Sequence, residues 1–98
     1  MGKHPHELQA PADAWGNPAA AEILRAWIVD GDLLVSLKSG FEKPSVRGIL
    51  LVDLARHAAR TFAMEKVCTE DQALNAIKSM FDAEWHRPTD LGTTHTEQ

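Results

Sequence analysis

The sequence predicts an α+β domain in which an N-terminal antiparallel β-hairpin packs on two C-terminal α-helices (ββαα), between flexible N- and C-terminal tails. Three observations carry this. LRAWIVDGDLLVSLK, Leu24 to Lys38, is an alternating run bent around an Asp-Gly pair. From Val46 to Ala63 the apolar residues recur at helical spacing. Thr69 and Gln72 stand three apart at the head of a second helical run.

Residues 1–17 come first. Pro5, Pro11 and Gly16 interrupt them and no apolar period appears, so a flexible arm is expected. Asn17 suits an N-cap and Pro18 the first helical position, so at most one short helical turn is expected there. A single domain over residues 18–88 follows, and residues 89–98, polar and aperiodic, are expected to be disordered.

In the hairpin, Asp30-Gly31 fits a type I′ turn, whose two central residues both need positive φ. That turn sets the register: Val29 faces Asp32, Ile28 faces Leu33, and so on down to Leu24 facing Leu37. One face is then wholly apolar: Leu24, Ala26, Ile28, Leu33, Val35 and Leu37. The other is mixed, with Arg25, Trp27, Val29, Asp32, Leu34, Ser36 and Lys38. A slip of one residue would mix the two sets, so turn chemistry and burial agree.

SGFEKPS, Ser39 to Ser45, reads as a loop punctuated by Gly40 and Pro44. A long helix is expected to begin near Ser45 or Val46. Its apolar residues nearly encircle it, leaving Asp53, Arg56, His57 and Arg60 on one narrow face, so it should be touched on more than one side. The second helix opens with a Thr69/Gln72 capping box and acidic Glu70 and Asp71, and Pro88 should stop it.

Two strands need helix cover to be stable, and a core of about 70 residues supplies only about 3–5 kcal/mol. The hairpin edges are open, and Trp27 lies opposite Leu34 on the outer face. A homodimer is the expected solution, through the hairpin edge or through the outer faces stacked back to back. The interface candidates are Arg25, Trp27 and Leu34. The competing expectation is a monomer whose arm folds over the open face, with Trp15 as the cover.

Few residues suggest chemistry. Asp53 and His57 stand one helical turn apart, with Arg56 beside them, and a carboxylate can orient an imidazole as a base. The same spacing suits a solvated face, and two ligands from one helix do not make a metal site. Cys68 precedes a helix N-terminus, but Glu70 and Asp71 oppose thiolate formation, so a packing role is expected. The histidines do not cluster, SGFEKPS lacks the spacing of a phosphate loop, and neither a metal site nor a cofactor is expected. Arg25, Lys38 and Trp27 make a small cationic aromatic surface of the kind that can hold a single strand or an acidic peptide.

Composition narrows the classes further. Of 98 residues, 44% are hydrophobic and 24% charged, an ordinary globular balance. A net charge of −4 disfavours nucleic acid, whose binding needs a basic face. One cysteine fits a reducing, cytoplasmic setting, and the longest apolar run, Ile49 to Val52, is too short for a membrane span.

The segments LRAWIVDG, VSLK and GILLVDLARHAA, within Ile23 to Ala63, resemble an uncharacterised family of bacterial proteins of about a hundred residues, known as a domain of unknown function (DUF5076). The resemblance implies a bacterial domain and brings no catalytic or binding residues with it. The expected function is therefore non-enzymatic self-association or protein interaction, with an unknown protein as a further possible partner. One alternative is a small enzyme or ligand-binding protein centred on Asp53, Arg56 and His57. Another is a weak nucleic-acid or acidic-peptide binder using the outer sheet face.

Overall fold

The computed structural model describes residues 4–39, 43–89 and 92–97. Gly40 in the expected loop and Gly2 near the N-terminus lie outside them. The chain is α+β in the expected ββαα order: β1 (Leu24–Val29) and β2 (Asp32–Lys38) form the hairpin, and α2 (Pro44–Met64) and α3 (Glu70–His86) follow. A single turn of helix, α1 (Ala12–Trp15), precedes the hairpin, and β3 (Thr93–Glu97) ends the chain.

The hairpin forms in the predicted register at every position, from Val29 opposite Asp32 to Leu24 opposite Leu37. Asp30 and Gly31 both have positive φ, 52° and 84°, as a type I′ turn requires. Helix α2 starts one residue earlier than expected. Pro44 takes the first helical position, where its missing N–H costs nothing and its fixed φ suits the helix. Helix α3 opens with the predicted capping box. The Gln72 amide donates to Thr69 Oγ1 at 3.1 Å, and the Thr69 amide donates to Gln72 Oε1 at 2.9 Å.

Between the helices the chain turns through Lys66, whose φ of 60° is left-handed. The Val67 amide donates to the Phe62 carbonyl and the Lys66 amide to the Ala63 carbonyl, both at 3.0 Å. This is the Schellman pattern, normally built on glycine. The two helices then pack on each other through small residues. Ala59 is fully buried, with Ala55 and Ala63 half-buried one turn to either side, and buried Ala73 and half-buried Ile77 lie on α3.

The C-terminal residues, expected to be a disordered tail, instead supply β3. It lies parallel to β2, with Leu34 beside Thr93 and Lys38 beside Glu97, giving a mixed sheet in the order β1-β2-β3. Neither Pro nor large apolar residues occur in TTHTE, so its uniformly polar sequence hid a strand that pairs with β2 through its backbone. Gly92 makes the entry. Its φ is 69°, and an added Cβ would come within 3.1 Å of the Leu33 carbonyl oxygen. The arm departs from expectation too: α1 lies before Asn17, capped by Pro11. Asn17 Oδ1 instead accepts from the Ala19 amide at 2.9 Å.

The largest departure concerns cover. Close contacts join β1 to β2, β2 to β3, and α2 to α3; among the described residues none joins the helix pair to the sheet. The expected packing of the helices on the hairpin's apolar face is therefore not made within the chain. Among the described elements helix α2 packs against α3, with Arg47 bonded to the end of β2. Ile28 is 72% exposed and Leu33 43%, and Ala59 and Ala73 are the buried hydrophobic residues. The chain exposes 8661 Å², against about 5,500 Å² for a folded monomer of this mass. Its radius of gyration, 15.4 Å, exceeds the roughly 13 Å of a domain this long.

Two substitutions test these local readings. Lys66→Gly should stabilise the protein by about 0.5–1 kcal/mol, because a side chain at left-handed φ is disfavoured while glycine is freer when unfolded; denaturant melts measure it. Gly92→Ala should release β3, seen as faster amide exchange over Thr93–Glu97 with the helices unchanged.

Candidate functional site

Three surfaces contain the residues that the sequence singles out. The first is the outer face of the hairpin. Strand alternation puts Arg25 and Trp27 on that side of β1, and Trp27 pairs with Leu34 across the strands. All three are half-buried. The N-terminal arm accounts for much of this. His4 meets Trp27 edge-on, with ring centroids 5.1 Å apart. Glu7 reaches Arg25 at 3.1 Å. Arg25 also makes a two-pronged pair with Glu22, from Nε at 3.0 Å and Nη2 at 2.8 Å.

The guanidinium pKa is raised from an already high value. The hydrogen bond to Glu22 is the main cause; some desolvation works against it, and the charges of Glu22 and Glu7 add to it. Arg25 is thus a clamp between two carboxylates. A groove of about 640 Å³ runs between the arm and β1, with Leu8, Trp15 and Ala14 on one wall and Leu24 to Trp27 on the other. Trp15, the expected cover residue, lines this groove while His4 makes the ring contact with Trp27.

The second surface is the polar face of α2. Asp53, Arg56 and His57 lie along little more than one helical turn, all exposed. No hydrogen bond or ion pair joins them among the described residues. Helical spacing brought them to one face, and nothing among the described residues folds over that face. Groups of three or more metal-ligating side chains are absent among the described residues. Cys68 is half-buried ahead of the Thr69 cap.

The third surface is the apolar one. Leu24, Ala26 and Ile28 on β1 alternate with the outer residues, and Leu33, Val35 and Leu37 lie opposite them. On the helices, Leu51, Leu54 and Phe62 line one side of α2 and remain exposed. Phe81 and Trp85 are also exposed on α3, stacked with ring centroids 5.6 Å apart. The hairpin residues make up the face that the sequence marks as wholly apolar.

Arg47 was missed. Its guanidinium donates from Nη2 to the Lys38 carbonyl, tying the start of α2 to the end of β2. A signal existed: a cation in a first helical turn opposes the helix dipole, so its presence points to a tertiary partner. No helix among the described residues is long and apolar enough to cross a membrane.

Arg25→Ala should free the arm. Amide exchange should quicken over residues 4–10 and stay unchanged in α2 and α3; equal exchange in both proteins would mean that the Glu7 pair does not hold the arm.

The comparisons with known proteins agree with this architecture. The family model described as a domain of unknown function, DUF5076, matches residues 7–89, from the arm's Glu7 to just beyond Pro88. A solved structure from the photosynthetic bacterium Rhodopseudomonas palustrus CGA009, provisionally named a pyruvate dehydrogenase, is 46% identical in sequence. The similarity covers 99% of this chain and 100% of that one, with a TM-score of 0.74. No curated protein matches the chain. With the arm, the hairpin and both long helices inside the matched span, the chain belongs to the DUF5076 family, a domain of unknown function.

Proposed function

We propose that this chain is a non-enzymatic domain that associates with itself and acts through protein contacts in the cytoplasm. The supporting observation is the apolar surface. Seventeen large hydrophobic side chains are exposed among the described residues, against two buried alanines, so the single chain leaves outside most of what should be its core. Monomeric proteins rarely expose contiguous apolar patches beyond a few hundred Å². The excess of about 3,000 Å² over a folded monomer's surface has the scale of a share in an obligate interface.

The polar candidates support the same reading. Catalysis needs groups that converge on a reacting atom. Asp53, Arg56 and His57 instead lie in a row along an exposed helix face. The enzyme name attached to the Rhodopseudomonas relative is not extended to this chain, because function rests on a site and not on a fold. Of the two cations on the outer sheet face, Arg25 is engaged by Glu7 and Glu22, which leaves Lys38 alone to meet a phosphate backbone. The single cysteine suits a reducing compartment.

Sedimentation equilibrium tests the proposal. The expected mass is twice that of one chain at micromolar concentration. A single-chain mass up to several hundred micromolar would remove self-association, and the apolar faces would then belong to a different protein partner.

A further inference from the structure

We infer that two copies close each other reciprocally: the helix pair of each chain lies across the apolar sheet face of the other. This rests on the self-association proposed above and says which surfaces meet. Two apolar surfaces of different shape lie open in one chain. One is the sheet face of Leu24, Ala26, Ile28, Leu33, Val35 and Leu37, with Ile28 and Leu33 well exposed. The other is the side of α2 carrying Leu51, Leu54 and Phe62, all exposed. Sheets with one apolar face are stable when a helix layer covers them, and this chain carries such a layer without placing it there.

The occupant is a second copy for two reasons. A two-fold axis that brings helix pair onto sheet once does so twice, so both faces are covered in both chains. The area is sufficient: half of the excess of about 3,000 Å² per chain would give a total interface of about 3,000 Å², inside the range of obligate homodimers.

Outer-face contacts are not needed for this closure. Arg25 and Trp27 stay under the arm, which carries no part of the proposed interface.

Complementation between two variants tests the proposal. Ile28→Glu places a charge on the sheet face and Leu51→Glu places one on the helix face. Both positions are exposed in the single chain, so each variant should keep its helix content by circular dichroism. Both changes have the same sign, so no new ion pair can form between them. Each variant alone has two damaged sheet–helix contacts per dimer and should be monomeric by sedimentation velocity. A refolded one-to-one mixture forms heterodimers with one contact intact, and its dimer dissociation constant should fall at least tenfold below that of either variant. Monomers in the mixture as well as in each variant would overturn reciprocal closure while leaving self-association standing. Dimers from each variant alone would also overturn it, placing the interface elsewhere. A monomeric wild-type chain would remove the self-association reading itself. If either glutamate variant loses its helix content, Ile28→Ser and Leu51→Ser are mixed in the same way, with the same outcomes decisive.

Discussion

The structure depends on one unmet requirement, the burial of an apolar sheet face. Hairpin alternation puts six apolar side chains on one side of β1 and β2, and such a face needs a layer against it. Conformational entropy of about 1–2 kcal/mol per residue has to be offset mainly by apolar burial. Two buried alanines do little toward that. The helix pair solves its own packing first, through the Ala55–Ala59–Ala63 seam against Ala73, and so keeps its larger residues for another surface. Small residues at a helix–helix contact allow close approach but bury little area, which is why the pair alone cannot stand in for a core.

The connections between the two halves fit this division. A parallel pair of strands needs a crossover, usually a helix lying on the sheet. Here the chain runs from β2 through α2 and α3 to β3, yet among the described residues neither crossover helix packs on the sheet. The Arg47 hydrogen bond at the start of α2 and the pairing of β3 with β2 both join the halves. Gly92 lets that return happen, since only a residue without a side chain enters left-handed so near the Leu33 carbonyl.

The outer face tells a different story from the inner one. Trp27 beside Leu34 looked like an interface, because an aromatic–aliphatic pair is seldom left in water. The chain's own arm supplies the partner, with His4 against Trp27 and Glu7 on Arg25. The groove left beside β1 borders the strand edge that β3 does not occupy. The unmatched apolar area lies on the inner face and the helices, whereas on the outer face Arg25 and Trp27 have partners in the arm.

How much could be read in advance follows the range of the forces involved. Local chemistry was legible: Asp-Gly dictates a type I′ turn and hence the whole hairpin register, and Thr69 with Gln72 dictates the start of α3. Alternation told which hairpin face is apolar, and helical spacing told that Asp53, Arg56 and His57 share a side. Neither could tell what those faces meet, because that depends on residues far along the chain. The pairing of TTHTE with β2 is made by backbone groups that carry no side-chain signature. The arm's capture of Trp27 rests on His4 and Glu7, whose identity in a proline-broken stretch announces nothing. Sequence by itself determined the hairpin, the two long helices and their apolar faces, since these follow from turn chemistry and periodicity over a few residues. The tertiary structure alone decided that one chain leaves those faces uncovered, because how α2 and α3 lie relative to the sheet depends on residues far apart in the chain and not on any local pattern.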